Sequence, residues 1–73
     1  MTYAQKLLTR LKVHLDGASN YRVAKLLEVS ESSLSRVKMN NGGFSDVTLN
    51  KIAQLLGENP MLVIADYHIT TQD

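Results

Sequence analysis

The sequence predicts an all-α fold, a compact bundle of five short helices. Apolar residues recur at helical spacing along most of the chain, and no alternating stretch is long enough to form a strand. Residues that commonly cap helix N-termini stand just before most of these apolar segments. With 73 residues the chain can hold only one small core, so residues 1–73 are interpreted as a single domain.

The first four helices have local start and stop signals. Thr2 and Gln5 have the spacing of a capping box, in which each side chain binds the backbone N–H of the other residue. Gly17 and Gly57 are predicted to end the first and fourth helices, because glycine readily takes the left-handed conformation after a helix C-terminus. The predicted N-caps of the other three helices are Ser19, Ser30, and either Ser45 or Asp46.

The C-terminal segment predicts a fifth helix. Asn59 supplies a capping side chain, and Pro60 suits the first helical position, where its missing N–H costs nothing. The apolar run that follows is expected to remain helical to about His68. Residues 69–73 are interpreted as a frayed tail, or as a short strand if a partner supplies an edge.

Residues that could carry catalysis or bind a metal are sparse. The chain has no cysteine, and His14 and His68 belong to no metal-binding spacing, so neither a disulfide nor a zinc site is expected. Without a catalytic constellation, we expect no enzyme, no cofactor and no small-molecule ligand. No apolar run approaches the roughly 20 residues that cross a bilayer, and charged residues interrupt the N-terminal apolar stretch. A cytoplasmic protein without membrane contact is therefore expected.

Positive charge is concentrated in the first half of the sequence. Residues 1–38 contain seven Lys or Arg and three Asp or Glu, a net charge of +4, whereas residues 39–73 have a net charge of −3. This asymmetry favours a polyanionic partner on one side of the domain, although short chains often distribute surface charge unevenly without a function.

Residues 20–37, "NYRVAKLLEVSESSLSRV", predict two short helices joined by a turn of about three residues. Helices joined so tightly cross steeply, and the second projects from the domain. The apolar positions that lock them together are Val23, Ala24, Leu27, Val29, Leu34 and Val37. In order and spacing these residues resemble the Cro/repressor type of helix-turn-helix, common in phage and bacterial regulators. One helix before this pair and two after it extend the resemblance over about residues 3–68.

One residue departs from the pattern of that family. The family usually has glycine at the turn position with positive φ, where this sequence has Glu28. A non-glycine residue at such a position is tolerated at a cost of roughly 1 kcal/mol. The resemblance implies a lambda-repressor-like DNA-binding domain, with the helix-turn-helix at about residues 19–38.

The resemblance also implies that the third helix lies in the major groove of DNA. The expected base-contacting residues are Glu31, Ser32, Ser35 and Arg36, and the expected phosphate-contacting residues are Asn20, Arg22, Lys38, Asn40 and Asn41. The residue types are consistent with a helix in the major groove, because serine lets a helix approach bases closely and arginine pairs bidentately with guanine. A serine-rich exposed helix can also be a merely solvated face, and the "NNGG" loop a plain flexible connector.

These observations lead to the hypothesis of a small transcriptional regulator, phage or prophage related, that binds a palindromic operator in double-stranded DNA as a homodimer. Residues 59–73 are the predicted dimerisation region, because residues 61–65 are consecutively apolar and some must face outward. The predicted interface residues are Met61, Val63, Ile64 and Tyr67. The alternative is a helix-turn-helix protein-interaction module, such as a small antitoxin or adaptor, which the low net charge favours.

Overall fold

Five helices follow one another in the computed structural model, which describes residues 2–39 and 42–71. They are α1 (Tyr3–His14), α2 (Asn20–Leu27), α3 (Glu31–Lys38), α4 (Asp46–Leu56) and α5 (Pro60–Thr71). Within the described ranges there is no strand, so the predicted all-α class with five helices is confirmed. Asn40 and Asn41, two of the predicted phosphate contacts, lie outside the described residues.

The predicted helix starts are confirmed by their hydrogen bonds. Thr2 and Gln5 form both bonds of a capping box, because Gln5 N donates to Thr2 Oγ1 at 3.1 Å and Thr2 N donates to Gln5 Oε1 at 2.8 Å. The backbone N–H group three residues after each predicted serine cap donates to its hydroxyl, as found at Ser19, Ser30 and Ser45. Each such bond satisfies a backbone donor that has no partner within the helix.

The fifth helix starts as predicted but ends later. The side chain of Asn59 accepts a hydrogen bond from Met61 N at 2.9 Å, and Pro60 is the first helical residue. The expected end at about His68 was wrong, because α5 continues to Thr71. No glycine or proline follows Pro60 to stop the helix, and the Thr70 hydroxyl donates to Asp66 O at 2.6 Å within it. Residues 72–73 of the expected tail lie outside the described residues.

The core is built around α4, which packs against α1, α2 and α5. Leu49, Ile52 and Ala53 of α4 are completely buried, and removing a side chain of leucine size from water contributes about 1.5–3 kcal/mol. The six apolar residues of the α2–α3 segment also join the core, Val29 as a partly buried neighbour. The buried core residues are Ala4, Leu7, Leu8, Leu11, Val23, Ala24, Leu27, Leu34, Val37, Phe44, Leu49, Ile52, Ala53 and Val63.

The turn between α2 and α3 has the left-handed geometry that favours glycine. Glu28 has φ 57° and ψ 41°, and Val29 N donates to Ala24 O at 3.0 Å, closing the turn around the end of α2. The Glu28 carboxylate also accepts a hydrogen bond from Lys51 Nζ at 2.7 Å, which connects the turn to α4. This hydrogen bond, and then the positive charge of Lys51, lower the pKa of the Glu28 carboxyl group. The acidic residue therefore takes the strained conformation and gains an ionic partner there.

The strain at this turn yields a prediction for stability. Glu28→Gly removes both the steric cost of the positive φ and the exposed ion pair with Lys51. Because the steric cost is larger than the contribution of the ion pair, the melting temperature should rise by a few degrees. Glu28→Ala keeps the strain and loses the ion pair, so its melting temperature should fall below that of the wild type. Calorimetry of the three proteins makes the comparison, and a glycine variant less stable than the alanine variant would contradict the assignment of strain.

Candidate nucleic-acid interface

The four predicted base-contacting residues lie on one exposed face of α3. Glu31, Ser32, Ser35 and Arg36 are all exposed, and their spacing of i, i+1, i+4 and i+5 places them on the same side of a helix. The opposite side carries the two buried anchors of this helix, Leu34 and Val37. The structure therefore brings the four predicted residues together and directs them away from the core.

The four serines between positions 30 and 35 divide into two groups. Ser30 caps α3 by accepting from Ser33 N at 3.1 Å, and the Ser30 and Ser33 hydroxyls are 3.0 Å apart, so this pair stabilises the helix start. Ser32 and Ser35 lie on the exposed face, and within the described residues their hydroxyls bind no other group. The hydroxyls free to bind a ligand are therefore those that share a face with Arg36.

The described phosphate candidates belong to α2 and α3. Asn20 is the first residue of α2 and is half-buried, whereas Arg22, two residues further along α2, is exposed. The Oδ1 atom of Asn20 is buried, and the described part of the chain offers it no hydrogen-bond partner. Lys38 is exposed and is the last residue of α3. The described phosphate candidates thus lie at the start of α2 and at the end of α3.

A residue of α1 fixes the end of α3, which the sequence analysis did not foresee. The Nε2 atom of Gln5 donates to Lys38 O at 2.8 Å, while Oε1 of the same amide accepts from Thr2 N. One side chain thus completes the capping box of α1 and satisfies a terminal carbonyl group of α3. The contact joins residues 33 positions apart, so local spacing could identify only the capping role.

Most of the basic side chains have no acidic partner among the described residues. Ion pairs between described residues join Arg10 to Glu58 at 2.9 Å, Lys51 to Glu28 at 2.7 Å and His68 to Asp46 at 2.8 Å. The other six Lys and Arg residues make no ion pair with a described residue, and all of them belong to α1, α2 or α3. They are Lys6, Lys12, Arg22, Lys25, Arg36 and Lys38. The positive charge that remains available to a polyanion is therefore carried by the first three helices.

The predicted dimer residues do not share one surface. Val63 is only 4% exposed and packs in the protomer core, so it offers little surface to a partner. Ile64 and Tyr67 are half-buried against the same core, whereas Met61 is 78% exposed. Only Met61 among the four therefore offers most of its side chain to a partner.

Tyr67 instead anchors the loop between α3 and α4. Its hydroxyl oxygen accepts a hydrogen bond from Phe44 N at 3.0 Å, and its ring meets the Tyr3 ring edge to face, with centroids 6.3 Å apart. Glycine at position 43 allows this approach, because a Cβ atom there would collide with the Tyr67 hydroxyl. The inner face of α5 therefore holds the chain segment that follows the candidate DNA-reading helix.

Other classes of site find little support among the described residues. They contain no cluster of three or more His, Cys, Asp or Glu side chains able to hold a metal ion. The same residues include no helix that is both long and apolar enough to cross a membrane. No protein-family model matches the chain, and searches of curated proteins and solved structures find no significant match.

The Tyr67 contact yields a second prediction. Tyr67→Phe leaves the partly buried N–H of Phe44 without its acceptor, so the free energy of unfolding should fall by about 1 kcal/mol. Tyr21→Phe is the matched control, because Tyr21 is exposed and its hydroxyl makes no hydrogen bond with any described residue. Chemical denaturation measures both changes. An equal loss of stability in the two variants would contradict the anchoring role of Tyr67.

Proposed function

We propose that this protein is a sequence-specific, double-stranded DNA-binding regulator of transcription of the Cro/repressor type, phage or prophage related. In this proposal α2 and α3 form a helix-turn-helix within a lambda-repressor-like domain, and α3 enters the major groove. The observation that carries the proposal is the exposed face of α3. It presents Ser32, Ser35 and Arg36 together, on a helix that Leu34 and Val37 hold against the core.

The side chains on this face have the chemistry of base recognition. Arg36 can donate two parallel hydrogen bonds to the O6 and N7 atoms of guanine, an interaction that contributes about 1–3 kcal/mol of discrimination. Ser32 and Ser35 are short enough to let the helix approach the base edges, and their hydroxyls both donate and accept. Glu31 can accept from the N4 amino group of cytosine, and its charge disfavours a phosphate beside it.

The charge distribution supports the same polyanionic partner. The six basic residues without a described ion-pair partner all belong to α1–α3, and Lys38 ends the helix that carries the proposed reading face. Contacts to phosphates position a protein on the duplex, whereas contacts to base edges determine the sequence that it selects. The proposed mechanism is occupancy of an operator, which would block access of the polymerase.

Recognition by one small domain covers only a few base pairs, so we propose that the protein acts as a homodimer on a palindromic site. Two-fold symmetry would place the α3 helices about 34 Å apart, in successive major grooves on one side of the duplex. The outer face of α5 is the surface that supports such an assembly. It carries a continuous set of exposed apolar side chains, Met61, Leu62, Ala65 and Ile69.

This outer α5 face suits pairing with a second copy of the chain. If two α5 helices pack antiparallel around Ala65, Met61 of one copy lies near Ile69 of the partner subunit, and the small alanine permits close approach. Soluble monomers seldom expose a contiguous apolar patch of this kind without a function. Because Val63 and Tyr67 lie on the inner side, pairing through the outer face would leave the protomer core and the loop anchor intact.

The DNA proposal predicts different roles for two neighbouring basic residues. On a duplex that the wild type binds, Arg36→Ala should lower affinity by roughly 5–150-fold and relax the preference at one base pair. Lys38→Ala should weaken binding to all sequences alike, and should reduce the salt dependence of the binding constant by about one phosphate contact. Fluorescence anisotropy over a salt series measures both effects. Undetectable duplex binding at low salt would refute the regulator and favour a protein-interaction module.

The dimer proposal predicts that a charge on the outer α5 face separates the subunits. Met61→Lys should convert a dimer to a monomer in sedimentation velocity, because two lysines would enter one apolar interface. Met39→Lys is the matched control, since Met39 is 72% exposed and Met61 is 78% exposed. A dimer that survives Met61→Lys, or a wild type that remains monomeric at high concentration, would exclude this surface.

A further inference from the structure

A groove between α1 and the end of α3 brings together two lysines from different helices. Its lining residues are Gln5, Leu8, Thr9, Lys12 and Lys38. Leu8 is buried and provides an apolar wall, whereas Lys12 is half-buried and Lys38 is exposed. None of these residues is acidic. Lys12 and Lys38 are therefore the only charged residues among the described residues that line the groove.

The environment of Lys12 disfavours its positive charge, and no described carboxylate neutralises it. Burial, and then the positive charge of Lys38, lower the pKa of the Lys12 ammonium group from its ordinary value. Neither lysine forms an ion pair with any carboxylate of the described residues. Asp16 and Glu31 are the acidic residues nearest in sequence to Lys12 and Lys38, and neither lines the groove. Two lysines thus line one groove without a counter-charge from any described residue.

The backbone around the groove is held by hydrogen bonds. Gln5 Nε2 donates to Lys38 O at 2.8 Å, so the base of the Lys38 side chain is tied to the first turn of α1. The Thr9 hydroxyl donates to Gln5 O at 3.0 Å, so its hydrogen is already used within α1. The lysine ammonium groups, with three N–H donors each, are therefore the strongest donors that the groove can offer to a ligand.

We propose that Lys12 and Lys38 together form a binding site for a phosphate group. Oxygen atoms of one phosphate placed between the two ammonium groups would accept hydrogen bonds from both and remove their mutual repulsion. In the proposed function, on which the identity of the ligand rests, this phosphate belongs to the DNA backbone beside the bases read by α3. Lys12 is then a DNA contact contributed by α1. The base-reading residues and the other described phosphate candidates all belong to α2 and α3.

The site can be tested with inorganic phosphate alone. In a titration at constant ionic strength followed by NMR, the backbone amide signals of Thr9, Lys12 and Lys38 should shift and saturate. Lys12→Gln should abolish these shifts. Lys6→Gln is the matched control, because Lys6 is an exposed lysine of the same helix that does not line the groove, and it should leave them unchanged. The absence of a saturable shift in the wild type, or an equal loss in both variants, would overturn the site.

A second measurement separates this inference from the proposed function. With a duplex, Lys12→Gln should reduce the magnitude of the slope of log K against log salt by up to about 0.9, the value for one lost phosphate contact, because Lys38 still faces the same phosphate, and Lys6→Gln should retain the wild-type slope. If the wild type binds the duplex but the Lys12→Gln slope is unchanged, the assignment to a DNA phosphate is overturned while the regulator proposal stands. If the wild type binds no duplex, the regulator proposal and the DNA assignment both fail, and the inorganic phosphate titration alone decides whether the site exists.

Discussion

The turn between α2 and α3 is the constraint on which the rest of the candidate site depends. The left-handed conformation of Glu28 and the hydrogen bond from Val29 N to Ala24 O change the direction of the chain at the end of α2. This change of direction lets Leu34 and Val37 enter the same core as the apolar face of α2. Once those two side chains are buried, helical geometry leaves residues 31, 32, 35 and 36 on the outside. The exposed chemistry of α3 is therefore a consequence of how the turn is built.

The parts of the fold with local causes were predictable from the sequence. A serine cap acts on a backbone group three residues away, so Ser19, Ser30 and Ser45 indicated the helix starts without knowledge of the tertiary structure. The positive φ expected at the α2–α3 turn is present although the residue is Glu28. Its ionic partner Lys51 lies 23 positions further along the chain, so the compensating contact could not be recognised from local spacing.

Features that depend on tertiary contacts could not be predicted from the sequence. Residues 61–65 are all apolar, and such a run does not indicate which side of the helix faces the core. Contacts between α5 and the rest of the protomer place Val63 and Tyr67 on the inner side of this helix and leave Met61 exposed on its outer face. The groove between Lys12 and Lys38 likewise depends on the packing of α1 against α3, although Gln5 and Lys12 already share a helical face by their spacing of seven. The sequence therefore indicated that Gln5 and Lys12 lie on one side of α1, but only the structure shows that this side faces the end of α3.

The central claim is that α3 reads a DNA sequence, and selection of bound duplexes from a random pool tests it most directly. The two-fold arrangement predicts an enriched palindrome whose half-sites are centred about one helical turn apart, roughly 10 base pairs. Guanine should be enriched at the position contacted by Arg36, and that enrichment should disappear when the selection is repeated with Arg36→Ala. A pool that remains random after repeated selection at low salt would contradict sequence reading by α3.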